Sequence, residues 1–271
     1  MTSDPAPRLQ SSPEIDTTVA HSARVWDYWL GGKENYPVDR EAGDRIAESF
    51  PEIVEHARMD RAFLSRSVRY LAGEAGIRQF LDIGTGLPTV DNTHEVAQRV
   101  APDSRIVYVD NDPLVLAHAR ALLTSTPEGA TDYIDIDMHD PGKIVEAAAR
   151  TLDFSRPVAV TMLGILWHII DDAEAQAVVD RYMDAVPSGS YLAVAHPTIE
   201  ATGERMAEAV RQWNEHGTPP GIHRTPEQIT AFFDGLELIE PGVVSVTRWR
   251  PEATLGETKE VDLFCAVGRK P

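Results

Sequence analysis

Phe80-Leu81-Asp82-Ile83-Gly84-Thr85-Gly86-Leu87-Pro88-Thr89 is an apolar strand-like run that ends in a glycine turn. Gly84 and Gly86 allow the backbone to turn tightly and to approach a ligand with no Cβ in the way. A dinucleotide loop needs a third glycine where a helix N-terminus packs against pyrophosphate, and Pro88 and Thr89 stand there instead. The turn therefore suits a smaller adenosine ligand, and a nicotinamide-dependent oxidoreductase is the disfavoured reading.

Outward from this turn, further strand-like runs fall at 106–109, 133–136, 158–163 and 191–194, most of them apolar enough to be buried on both faces. Helical spacing occupies 94–100, 113–123, 142–152 and 173–185. Strand and helix alternate, which predicts a parallel sheet with right-handed crossovers and helices on both faces, a Rossmann-like doubly wound α/β fold. Helices near 199–216 and 226–233 precede two more strands, 243–247 and 261–267, that close the far edge. Upstream, residues 20–75 have helical spacing, with Val25, Trp26, Trp29 and Leu30 on one face and Phe63, Leu64, Val68 and Leu71 on another. The expected organisation is a flexible Pro/Ser/Asp-rich tail at 1–18, a helical cap at 19–76 and a ligand-binding α/β domain at 77–271.

Composition narrows the function classes. With 42% hydrophobic and 25% charged residues in 271, the chain can bury a real core. A formal net charge of −18 repels polyanions and provides no counterion-release term, so nucleic acid is not the expected partner. Cys265 is the only cysteine, which excludes an internal disulfide framework and a multi-cysteine metal site and fits a reducing cytoplasm. No secretory signal or membrane-spanning stretch is read in the sequence.

In a doubly wound sheet, ligands bind beyond the carboxyl ends of the strands where strand order reverses. The second strand runs into Asp110-Asn111-Asp112-Pro113, where Asp110 can accept hydrogen bonds from both hydroxyls of an adenosyl ribose and Asp112 caps the helix that starts at Pro113. The third leads into Asp135-Ile136-Asp137-Met138-His139, where Asp137 can receive an adenine amino group beside the backbone of Met138. A merely solvated acidic loop is the alternative there.

These motifs resemble the class I S-adenosylmethionine-dependent methyltransferases. In particular, the chain is similar to an actinobacterial S-adenosyl methyltransferase family formerly catalogued as a domain of unknown function. The likeness runs from about residue 20 to the C-terminus. It rests on residues 23–40 (ARVWDYWLGGKENYPVDR), 78–89, 107–113, 233–238 and Pro241-Gly242-Val243. The resemblance implies a seven-stranded sheet whose last strand runs antiparallel, S-adenosyl-L-methionine as cofactor and S-adenosyl-L-homocysteine as product. The expected cofactor residues are Asp82, Gly84, Thr85, Gly86, Asp110, Asn111, Asp137, Met138, Leu163 and Gly164. The family pattern places Ala-Asn before Arg-Ala-Phe-Leu, whereas this chain has Met59-Asp60 before Arg61-Ala62-Phe63-Leu64, so no amide stands at position 60.

Methyl transfer is an in-line displacement in which alignment and water exclusion matter most and a base is optional. After the fourth strand, His168 is the candidate base, with a core histidine as the alternative role. His139, His196 and His223 are weaker candidates with no metal-ligand spacing, so no metal is expected. The Gly31–Pro37 loop with Tyr28, Gly32, Lys33, Asn35 and Tyr36 is a candidate lid or substrate contact, unless its glycines merely end a helix. Trp26, Trp29, Trp213 and Trp249 are candidates for an acceptor pocket or the core, and Trp26 and Trp29 are assigned to the core. The leading reading is a methyltransferase of a small molecule, monomeric or homodimeric, and the alternative a non-catalytic S-adenosylmethionine-binding sensor or scaffold.

Overall fold

The computed structural model describes residues 15–122, 124–252 and 259–271. The expected tail therefore lies outside the described residues up to position 14. From Ile15 the chain is already held, because Ile15 packs beside Leu87 and Leu114, and Arg24 Nη1 donates to the Asp16 carbonyl at 2.9 Å.

The elements run β1 (Ala20–His21), α1 (Ser22–Trp29), α2 (Pro37–Ser49), α3 (Ile53–Gly73), β2 (Gln79–Ile83), α4 (Thr93–Val100) and β3 (Arg105–Asp110). Next come α5 (Pro113–Leu122), β4 (Ala130–Asp135), α6 (Pro141–Ala148), β5 (Ala159–Leu163), a 3₁₀ turn (Leu166–His168), α7 (Asp172–Asp184) and β6 (Tyr191–Pro197). The chain ends with α8 (Glu204–His216), β7 (Gly217–Thr218), α9 (Pro226–Ala231), β8 (Glu237–Leu238), β9 (Val244–Ser245) and β10 (Leu263–Arg269).

Local chemistry sets many of these boundaries. Pro37, Pro113, Pro141 and Pro226 open helices, where the missing N–H is an orphan in any case. Asp112 and Asp171 accept from Leu114 N and Glu174 N, both at 2.8 Å, and Thr225 and Gln228 cap each other reciprocally. Helix α8 starts at Glu204 rather than 199 because Asp262 accepts from Ala201 N and Thr202 N and holds 200–203 as a turn.

The central sheet has the order β4-β3-β2-β5-β6-β10-β8, with β9 also on β10. Strands β2 to β6 pair in parallel, and β10 pairs antiparallel with β6. The doubly wound sheet and the antiparallel last strand match the expectation, but there are eight strands in the sheet, not seven. The strand beside β10 is broken in two: Leu238 pairs with Gly268, Val244 with Cys265, and Ile239–Gly242 turns between them. Pro241, which has no N–H, stops the ladder there.

One core lies under α6, α7 and the Phe232-Phe233 segment, and a second lies on the other face under α3 and α4. A third joins α1, α2 and the start of α3 to α8 through Ile46, Phe50, Met206 and Trp213. At 21 residues, α3 is about 31 Å long. Its C-terminal half covers the sheet while its N-terminal half reaches into the helical layer. No helix among the described residues is long and apolar enough to cross a membrane.

Candidate active site

Strand order reverses between β2 and β5, and the turns that leave β2, β3 and β5 converge there. Gly84 N donates to the Val109 carbonyl at 2.8 Å, folding the glycine turn back onto β3. Asp110 fixes the turn from the other side, accepting from Gly86 N and from Asp112 N, both at 2.9 Å. A carboxylate offers about four lone-pair sites, so Asp110 keeps acceptor capacity after these bonds. Burial pushes its carboxyl up to about 6. Gly86 has φ +65°, and a Cβ there would meet nothing within 4 Å. The space beside it belongs to a cavity of about 190 Å³, more than ten times what one water needs.

Asp82, Gly84, Thr85, Gly86, Asp110, Asn111, Leu163, Gly164 and His168 all line this one cavity. Asp82 is held from behind, its oxygens accepting from the Thr93 and Thr161 hydroxyls at 2.6 Å each, which ties the glycine turn to α4 and β5. Asp137 and Met138 lie beyond the lining. Asp137 accepts from Asn111 Nδ2 at 2.9 Å, and the Met138 carbonyl accepts from the Tyr182 hydroxyl at 3.0 Å.

The cavity continues from the glycine turn beneath α1 and α8. Val25, Trp26, Trp29, Ile53, Leu64, Met206, Val210 and Trp213 wall this part. Trp26 and Trp29, assigned to the core from sequence, stand edge to face on the cavity wall, Trp29 also packing against the third core, because the short α1 turns its apolar face to the opening. Trp213 does line the cavity. Trp249 does not, being fully buried against Phe63 and Tyr70.

His168 reaches the cavity with both ring nitrogens engaged. Nδ1 donates to the Pro220 carbonyl at 2.9 Å, and Nε2 therefore accepts from Ser22 Oγ at 3.1 Å. Burial lowers its pKa to about 4, so the ring is neutral at pH 7 and the lone pair a base would use is already bonded. His139, His196 and His223 are not in the lining, and His196 is held neutral, pushed down to about 3 by burial, with Nε2 accepting from Arg224. Among the described residues no group of His, Cys, Asp or Glu is placed to hold a metal ion.

Tyr28, Gly32, Lys33, Asn35 and Tyr36 do not line the cavity. Their loop is braced across the glycine turn instead. Asp27 accepts from Glu34 N and Asn35 Nδ2, Arg24 pairs with buried Asp39, and Tyr36 packs against the Leu87–Leu114 cluster. Gly32 has a steric reason to be glycine: a Cβ there would sit 1.9 Å from Asp27 Oδ1. Gly32→Ala is therefore expected to displace Asp27 and cost about 1–3 kcal/mol, read as a lowered thermal unfolding midpoint.

Sequence reasoning passed over His56, Arg61 and Asp262 on the cavity wall and buried Arg224 below it, and noted Asp60 only as a departure from the family pattern. The available signal was His56 and Asp60 set four apart, polar interruptions of the apolar face that carries Ile53 and Leu64.

A sequence model of the S-adenosyl methyltransferase family matches residues 8–271. A DUF574-family protein of Streptomyces avermitilis is 47% identical, covering 95% of this chain and 100% of its own, with a TM-score of 0.91. A candidate methyltransferase of Thermobifida fusca is 42% identical, covering 95% and 97%, with a TM-score of 0.87. The N-methyltransferase NodS of Bradyrhizobium japonicum shares the fold at 15% identity, covering 80% and 97%, with a TM-score of 0.50. No curated protein matches the sequence. On the family match over these residues and the two close solved relatives, the chain belongs to the S-adenosyl methyltransferase family and is an S-adenosylmethionine-dependent methyltransferase.

Proposed function

We propose that this enzyme methylates a small, largely apolar molecule, with the cofactor at the Gly84–Gly86 end of the cavity and the acceptor beneath α1 and α8. The observation that carries this reading is the two-part wall. Glycine backbone and the Asp110 carboxyl form one end, and aromatic and aliphatic side chains of α1, α3 and α8 enclose the rest. Such a pocket gives an apolar acceptor its affinity, and polar side chains interspersed in the wall, among them His56, His168 and Asp262, are available to orient it.

When bound, S-adenosylmethionine supplies an electrophilic methyl group on a positively charged sulfur. The open space beside Gly86 and the spare acceptor capacity of Asp110 fit a ribose at that end, with Asn111, Leu163 and Gly164 beside it. Asp137 and Met138 belong to the adenine side through the Asn111–Asp137 bond. Trp26 and Trp29 exclude water above the acceptor, which strengthens every electrostatic contact inside. His168 is a positioning residue: through Ser22 it fixes the start of α1 over the cavity. Gly32, Asn35 and Tyr36 hold the loop that backs the glycine turn, with Tyr28 tying α1 to α2 beside it and Lys33 exposed on it, and so act on the cofactor side from outside. The acidity of the chain supports a neutral or cationic small acceptor over a polyanion, and Cys265 as the only cysteine, which leaves no internal disulfide, fits a reducing cytoplasmic setting.

The test supplies methyl-labelled cofactor and the purified enzyme to a desalted cell extract. Label in the organic-soluble, low-molecular-weight fraction is expected. Label confined to protein or nucleic acid would overturn the small-molecule reading.

A further inference from the structure

Helix α3 brings two charged side chains to the cavity that nothing in the fold uses up. Asp60 is 6% exposed, and its carboxyl makes no hydrogen bond to any described residue; Oδ1 is buried and bare. Burial raises this carboxyl to about 6. The next residue, Arg61, donates through Nη2 to the carbonyls of Val90 and Asp91, at 3.2 and 3.0 Å, which anchors the turn after the glycine loop. Its Nε is buried with no partner. Both residues line the cavity, and they form no ion pair with each other.

A bare buried acceptor costs about 1–3 kcal/mol and more when charged, so folded proteins rarely keep one without a use. Here an anionic side chain with no partner among the described residues and a cationic one with donors to spare, adjacent in sequence, line one cavity. Their complement is a small zwitterion, an ammonium and a carboxylate on one carbon. Asp82, the other buried carboxyl near the turn, already accepts from the Thr93 and Thr161 hydroxyls, whereas Asp60 has no partner among the described residues.

We propose that Asp60 and Arg61 clamp the amino-acid head of the cofactor, Asp60 receiving its ammonium group and Arg61 its carboxylate. This rests on the placement of the cofactor at the Gly84–Gly86 end. The clamp separates cofactor and product, which carry the head, from adenosine thioethers that lack it.

Calorimetry with S-adenosylhomocysteine and with 5′-methylthioadenosine, which lacks the head, tests this on the wild type, Asp60→Asn and Arg61→Gln. The wild type is expected to bind the headed ligand at least about tenfold tighter, the scale of one charge-assisted hydrogen bond. Each variant is expected to lose about tenfold or more for S-adenosylhomocysteine while keeping its affinity for 5′-methylthioadenosine. That unchanged affinity also shows that the variant has folded around an intact adenosine end. Variants that bind S-adenosylhomocysteine like the wild type, or that lose both ligands equally, overturn the clamp. A wild type that binds the two ligands equally overturns the clamp alone. A wild type that binds neither overturns the cofactor placement, and the clamp with it.

Discussion

Asp110→Ala is expected to weaken S-adenosylhomocysteine binding by about 100-fold or more. Hydrogen bonds to a charged group contribute about 1.5–3 kcal/mol each, and a ribose diol offers two. The loss has a second source inside the protein. Without the carboxylate, Gly86 N and Asp112 N lose their acceptor, and the glycine turn is no longer tied to the end of β3. Asp110→Asn keeps one acceptor oxygen and the side-chain shape, so its loss is smaller, about tenfold. The pH dependence has a definite sign. With the carboxyl pushed up to about 6, the accepting form is lost as pH falls through 6, so wild-type affinity weakens from pH 7 to pH 5. Calorimetry at several pH values, with thermal unfolding as the folding control, measures all three effects. Affinity unchanged in Asp110→Ala would remove Asp110 from the cofactor end.

The placement of Asp110 on the cavity was legible because it stands at a strand's carboxyl end, and strand ends can be read from apolar runs. Strands β2, β3, β5 and β6 are buried on both faces, so each reads as a continuous run followed by a turn, and those turns make the cavity's polar end. The edge was harder. β8 and β9 have two residues each, too short to carry an alternation, and only their pairing with β10 reveals two strands where one was expected. Helix faces were ambiguous for another reason. An apolar stripe looks the same whether it meets a core or a cavity, so Trp26 and Trp29 gave no sign of facing a cavity. Asp60 shows the limit most clearly. On sequence it is a departure from the family's amide with no role attached, and its significance arises only when α3 brings it to the cavity and leaves it without a partner among the described residues.

Arg224→Met is expected to destabilise the protein by about 3–5 kcal/mol, the largest stability effect of any single substitution considered. The Arg224 side chain is 1% exposed, and the guanidinium is satisfied on every side. Nη1 donates to the Leu166 carbonyl at 3.0 Å and to His196 Nε2 at 2.8 Å. Nη2 donates to the Ile169 carbonyl at 2.7 Å, and Nε to Asp172 Oδ1 at 2.9 Å. Methionine fills most of the volume but leaves the buried Ile169 carbonyl and a buried imidazole nitrogen bare, with the Leu166 carbonyl keeping only its bond from Ile169 N, and that desolvation dominates the cost. Arg224→Lys keeps the charge without the fork, so it reaches only part of the set and falls between. Urea unfolding at pH 8 measures the loss with His196 neutral in both proteins, and a change below 1 kcal/mol would mean that water replaces the guanidinium. The consequence also reaches the site, since Leu166 and Ile169 bracket the 3₁₀ turn that carries His168. Loosening that turn frees the ring from Ser22 and Pro220, so the start of α1 loses its anchor over the cavity and product affinity is expected to fall together with stability.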